Sequence, residues 1–143
     1  MSLRTHAFVS VVVLLGSVSA GAAAPGLQAR VTGLRNEQGQ VGCLLFDSED
    51  GFPGKQQRAL QRTLASIADG RAVCKFDVPP GSYAIVAMHD ENRNGELDTN
   101  FVGIPKEGYG ASNGARGRFG PKYEDARFDY AGGSVTMPIQ LQY

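Results

Sequence analysis

Apolar residues along this chain recur mostly in short, alternating runs separated by Gly, Pro, Asn and Asp clusters, the pattern of strands joined by tight turns. Residues 28–34 alternate loosely and close at Asn36-Glu37-Gln38-Gly39, a hairpin-like turn into a second strand over 40–46, so these two form an early strand pair. After the Asp47-Ser48-Glu49-Asp50-Gly51 break, Ala59, Leu60, Leu64 and Ile67 fall on one helical face with Lys55, Arg58 and Arg62 opposite. That spacing predicts a short amphipathic helix over 55–67, closed near Asp69-Gly70. Residues 71–78 return to strand character, and Pro79-Pro80-Gly81 turns the chain into 82–88, the strongest strand. Both faces of this strand are apolar, Tyr83 and Ile85 on one and Ala84, Val86 and Met88 on the other, which places it centrally and covered on both sides.

A long segment over 99–122 follows, rich in Gly, Asn and basic residues but carrying Phe101, Ile104, Tyr109 and Phe119. A loop of this length in a small domain is functional or disordered, and the interleaved aromatics favour an ordered, packed one. Residues 126–130 and 135–143 read as closing strands, with Pro138 pushing the second toward a sheet edge. The sum is a mainly β chain: an antiparallel, immunoglobulin-like or prealbumin-like β-sandwich with one short helix and one long ordered loop.

The first residues read differently. Arg4, the apolar run over 7–18 and the small residues Val18-Ser19-Ala20 resemble a secretory signal, with Ala22-Ala23-Ala24 as a second cleavage site. The organisation expected is a signal peptide and linker over 1–24 and one domain over 25–143. The apolar run is shorter than the about 20 residues that span a bilayer, and no second one follows, so stable membrane insertion is not expected after signal removal. Without the leader the chain has thirteen basic and fourteen acidic residues. With no basic stripe, nucleic acid is a poor partner, since that binding depends on neutralising phosphates. A periplasmic or secreted location follows from the leader, and there Cys43 and Cys74 favour a disulfide over two buried thiols.

The chemistry concentrates where the strongest strand ends. His89-Asp90-Glu91-Asn92-Arg93-Asn94-Gly95-Glu96-Leu97-Asp98 sets oxygen-bearing side chains at alternate positions around a glycine. A hard cation takes about 6–8 oxygen ligands, and only a tightly curled loop aims alternate residues at one centre. Asp90, Asn92, Asn94, Glu96 through its carbonyl, and Asp98 are therefore candidate calcium ligands. The usual closing glutamate is replaced by Phe101, so the last carboxylate must come from elsewhere, from Glu107 or Asp125. Two neutral Asn ligands imply weak affinity, on the order of 10⁻⁴–10⁻³ M, suited to a structural staple. The alternative is a metal-free turn in which Asp and Asn side chains bond their own backbone and Gly95 takes a positive φ.

Pro79-Pro80-Gly81-Ser82-Tyr83, the 89–95 motif, Gly103-Ile104-Pro105-Lys106-Glu107-Gly108-Tyr109-Gly110, Ser112-Asn113, Phe119-Gly120-Pro121 and Glu124-Asp125-Ala126 occur in that order. In this the chain resembles the domain of unknown function 2141 family of small exported bacterial proteins, from about residue 31 to 143. The resemblance implies a small secreted β-sandwich and brings no activity with it.

Three functional classes remain. A binding module would use Tyr109, Phe119, Tyr123 and Tyr130 as a platform for a glycan or an envelope protein, unless those rings only pin the long loop down. A structural role at the cell envelope needs only the staple. An envelope hydrolase would use His89, the one histidine outside the leader, with Asp90 or Glu107. It is the weakest of the three, because Ser112 lacks a nucleophile-elbow context and no partner for His89 follows from spacing. A calcium-stabilised, non-enzymatic module is the expectation.

Overall fold

The computed structural model describes residues 26–143; the expected leader and its cleavage sites lie outside them. Two sheets face each other. The smaller has the order β4 (Ala72–Phe76), β1 (Leu27–Thr32), β8 (Val135–Gln140). The larger runs β3 (Gln61–Ala65), β2 (Gln40–Phe46), β5 (Gly81–Asp90), β6 (Tyr109–Ala111), with β7 (Phe128–Tyr130) paired to the opposite end of β5. The one α-helix among the described residues is a single turn, α1 (Tyr123–Ala126).

Alternation explains the core. Leu27, Ala29 and Val31 of β1, Ala72, Cys74 and Phe76 of β4, and Ile139 of β8 point at Val41, Cys43 and Leu45 of β2 and at Tyr83, Ile85 and Ala87 of β5. Each strand delivers every second side chain to this interface. The Cys43–Cys74 disulfide, with a Cα–Cα distance of 6.3 Å, joins β2 to β4 and so ties one sheet to the other through the middle of that core. This settles the cysteine alternatives in favour of the bridge.

Four expectations need correction, one of them the long loop over 99–122, which is interrupted by β6 and by a 3₁₀ turn at Ser112–Gly114. Residues 55–67 do not form a helix: only Gln56–Arg58 make a 3₁₀ turn, and Gln61–Ala65 form an edge strand against β2. Leu64, placed on the buried face of that helix, is half exposed. Tertiary context overrides propensity here: the Lys, Gln, Arg, Ala and Leu residues of this segment favour a helix locally, yet Gln61–Ala65 pair antiparallel with β2, and sheet pairing outweighs the 3.6-residue period. The early strand pair also fails, since β1 and β2 lie in different sheets and the 36–39 turn crosses between them. Finally, β1 and β8 pair in parallel, so the sandwich is not purely antiparallel. Pro138 does sit on an edge strand, and 126–130 divides into the end of α1 and β7.

The outer face of the larger sheet is covered unevenly. At one end Phe52 packs edge-on against Phe46 at 5.3 Å and Tyr123 against Phe52 at 5.7 Å, above Ala84, Ala111 and Ala126. The Ser112 hydroxyl fastens this lid, accepting from the Ile85 N–H at 3.0 Å and donating to the Ala126 carbonyl at 2.6 Å. The other end of the same face carries Gly42, Leu44, Val86 and Met88, and it opens into a cleft.

Candidate functional site

β5 leaves the sheet at Asp90, whose side chain lies on the outer face by alternation with Val86 and Met88. It is fully buried. Its two carboxylate oxygens organise the loop: Oδ1 accepts the Asn94 N–H at 3.0 Å, and Oδ2 accepts the Gly95 N–H at 2.9 Å and an amide N–H of Gln40, its cross-strand partner, at 2.9 Å. Asn92 Oδ1 accepts the same Asn94 N–H at 3.1 Å, and Asn94 Oδ1 accepts the Glu96 N–H at 2.9 Å. Gly95 sits at φ 79°, a conformation that costs glycine little and an L-residue more. These bonds are those of successive Asx turns.

The loop then closes on itself. Asp98 receives Nδ2 of Asn92 at 2.6 Å on one oxygen and Nδ2 of Asn94 at 2.7 Å on the other. Glu107, nearly buried, clamps both ends at once: Oε1 accepts the Glu91 N–H at 2.9 Å and Oε2 accepts the Asp98 N–H at 3.0 Å. The Lys106 N–H donates to the Asp98 carbonyl at 2.8 Å, and Asn100 Oδ1 accepts from Val102 and Ile104, shaping a small arch over 98–106. Buried carboxylates need such donors, because a lone one would be strongly disfavoured.

Of the candidate ligands, Asp90, Asn92, Asn94, Asp98 and Glu107 are thus brought into one hydrogen-bonded unit. Glu96 contributes its N–H to that unit while its side chain is exposed. Asp125 is elsewhere, in α1, where its carbonyl accepts from Asn113 at 3.3 Å. Among the described residues no group of three or more His, Cys, Asp or Glu gathers as metal ligands do. Phe101, at the position of the missing closing glutamate, is fully exposed.

The hydrolase pairing does not assemble. His89 and Asp90 are consecutive in a strand and point to opposite faces. The His89 ring is fully buried on the inner side, with Nε2 2.7 Å from the Gln38 carbonyl and Nδ1 2.7 Å from the Tyr143 hydroxyl. A carbonyl only accepts, so Nε2 carries a hydrogen and the hydroxyl faces Nδ1. The imidazole is a structural tie between the 36–39 turn and the last residue.

That tie belongs to a cluster the sequence reading missed. The Arg35 guanidinium lies 4.6 Å above the Tyr143 ring and pairs with Glu91 Oε1 at 2.5 Å, while the Arg35 N–H donates to the Tyr143 hydroxyl at 3.0 Å. Asn36 Nδ2 donates to the other Glu91 oxygen at 3.1 Å. Burial raises the Glu91 pKa, but the Asn36 bond and the Arg35 bond and charge outweigh it, leaving the carboxyl below its ordinary 4.5. The Tyr143 phenol is pushed up, first by burial. Gly108 makes room for the ring: a Cβ there would stand 2.5 Å from Tyr143 Cζ. Its signal was faint, a charged residue inside a turn and an aromatic at the chain's end.

Of the four rings considered as a binding platform, Tyr130 is buried, Tyr123 packs on Phe52, and Tyr109 is half-buried in the cleft wall; Phe119 alone points outward. The most exposed large apolar residues among the described residues are instead Phe101, Val102, Ile104 and Phe119. Val102 and Ile104, carried on the arch that Glu107 clamps, form one wall of the cleft, and Phe119 with Gly120 and Pro121 forms the other. The volume of this open cleft is about 650 Å³.

Fold and site together define a two-sheet β protein with an intersheet disulfide, a clamped polar loop and an apolar cleft on the outer sheet face. The chain belongs to the DUF2141 family, described as an uncharacterized protein conserved in bacteria, whose model matches residues 29–138. No curated protein and no solved structure matches it significantly. Among the described residues no helix is long and apolar enough to cross a membrane.

Proposed function

We propose that this protein is an extracytoplasmic, non-enzymatic binding module that holds an apolar ligand in the cleft on its larger sheet, with the 90–98 loop stabilised by calcium. The cleft carries the reading. Val86 and Met88 lie on a central strand, the position usually covered by a second layer, yet above them is a walled space within the about 300–1,000 Å³ range of small-molecule sites. Its sparse polar lining suits an apolar ligand better than a glycan. The leader-like start, the disulfide and the family are consistent with a periplasmic or secreted location. The two-sheet core supports kinship with immunoglobulin-like or prealbumin-like sandwiches.

The calcium part rests on donor chemistry. Asp90, Asn92, Asn94 and Asp98 offer only hard oxygens besides the amide nitrogens, and the two amides already converge on Asp98. In the present arrangement they turn N–H groups toward it. Amide rotation would replace two donors by two carbonyl oxygens facing a carboxylate, an arrangement that only a cation between them makes favourable. When bound, calcium would cross-link the loop and so stiffen the cleft wall; it does no chemistry.

Nile red, a neutral apolar dye, tests the cleft. The native protein should bind it at one saturable site with blue-shifted emission, and the Val102→Asp/Ile104→Asp variant, altered at exposed positions, should lose the site while keeping its near-UV circular dichroism. Absence of binding to the native protein overturns the reading. Thermal melts test the metal: at an affinity of 10⁻⁴–10⁻³ M, ten millimolar calcium should add about 1.4–2.7 kcal/mol over chelator. An unchanged midpoint removes the metal and leaves the cleft.

A further inference from the structure

We infer that the ligand of this cleft is a single anionic amphiphile, an alkyl chain ending in a carboxylate or similar anion, with its headgroup on Arg118. The inference rests on the cleft reading and adds the ligand's chemical class. Arg118 is the one charged residue lining the cleft. The polar lining groups beside it are few, and the amide N–H of one of them, Gln56, is engaged by the Gly95 carbonyl at 2.6 Å.

Arg118 is also available. Among the described residues the side-chain ion pairs are Arg35–Glu91 and Arg58–Asp50, and Arg118 takes part in neither. Its guanidinium stands 5.7 Å from the centroid of the Phe119 ring, which is 95 % exposed, so the charge sits at the mouth and not at the floor. The floor is apolar: Leu44, Val86 and Met88, with Gly42 so close beneath Met88 that a Cβ there would meet its Cε at 3.1 Å. Apolar floor below and lone cation above match a molecule with the same two ends. Burying the chain contributes about 25 cal/mol per Å² of apolar surface. A guanidinium offers a carboxylate two parallel N–H donors, stronger than neutral hydrogen bonds.

The same chemistry exists at a bilayer surface, but the shape selects the free monomer. A flat interface touches the exposed tips Phe101 and Phe119 and leaves Val86 and Met88 at the floor unfilled, whereas one chain reaches them.

Displacement of Nile red by dodecanoate and by dodecanol, on the native protein and on Arg118→Gln, decides the matter. Dodecanoate should bind the native protein about tenfold or more tighter than the variant, a difference that shrinks at high salt, while dodecanol binds both alike. If both compounds displace the dye and Arg118→Gln changes neither, the headgroup assignment is overturned and the cleft survives. If the dye binds but neither compound displaces it, the amphiphile is overturned. If the dye does not bind, the cleft reading itself fails. Co-sedimentation with anionic vesicles without monomer binding overturns the choice of a free ligand.

Discussion

Glu107 holds Asp98 and Glu91 together, accepting the backbone N–H of one at 3.0 Å and of the other at 2.9 Å, so a single carboxylate closes the loop that begins where β5 ends. Because the arch bearing Val102 and Ile104 follows directly from Asp98, the clamp also sets one wall of the cleft. Loop and cleft are therefore one mechanical unit.

Glu107→Gln keeps the size of the side chain but replaces one accepting oxygen with an N–H₂ group that faces a backbone N–H. Loss of one charge-assisted bond at a nearly buried site should cost about 1.5–3 kcal/mol in urea unfolding. Hydrogen exchange should accelerate across 91–106 before it does in β2 or β5. Uniform acceleration throughout the sheet would contradict the local clamp.

The disulfide closes a separation of 31 residues between sheets and lies in the core with both cysteines fully buried. Cys43→Ser/Cys74→Ser should lose about 2–5 kcal/mol. Thiol alkylation followed by mass spectrometry should find the native protein resistant to mild reductant and susceptible only in denaturant, since the sulfurs are inaccessible until the sheets part.

Glu91 gives stability an acid limb. Its folded pKa lies below the ordinary 4.5, so the folded state binds this proton less readily than the unfolded chain; the contribution is complete above about pH 4.5 and disappears as pH falls through the folded value. Glu91→Gln should flatten the stability profile in that acid range, read from urea midpoints between pH 3 and 6. An unchanged slope would show that the Arg35 and Asn36 contacts do not persist in solution.

Tyr143→Phe removes the hydroxyl that faces Nδ1 of a fully buried imidazole and accepts from Arg35. A buried polar atom left without its partner costs about 1–3 kcal/mol. The raised phenol pKa adds a second signature: ionisation is easier in the unfolded chain, so native stability declines above about pH 10 and the variant should lose that alkaline component. Spectrophotometric titration of native and variant protein checks it.

Much of this was legible from residue order, for local reasons. The strand over 82–88, the turn at Pro79-Pro80-Gly81, the edge position of Pro138 and the Asx character of the 90–98 loop all follow from properties of a residue and its near neighbours. Glu107 was reachable too, as the one carboxylate soon after a loop lacking its closing acid. The segment over 55–67 was not, because Ala59, Leu60, Leu64 and Ile67 fit a helical stripe, while the partner that made it a strand, β2, is hydrogen-bonded across a turn whose length alone does not announce it.

The apolar outer face of β5 shows the same division. Alternation fixed which side chains share a face, since strand geometry leaves no choice once the strand exists. Whether that face is covered is a different matter. Phe52, Tyr123 and Ala126 cover one end, where Val86 also packs, while a cleft lined by Leu44, Val86 and Met88 opens at the other, and the Cys43–Cys74 bridge spans two sheets where the sequence had only two cysteines. The sequence by itself determined most of the strands, though not β3 or β6, together with the polar loop and the parity of side chains within each strand it identified, which are short-range consequences of backbone geometry. Only the tertiary structure decided which strands pair, what His89 and Tyr143 do for each other, and where the surface stays open, because those depend on contacts between residues far apart in the chain.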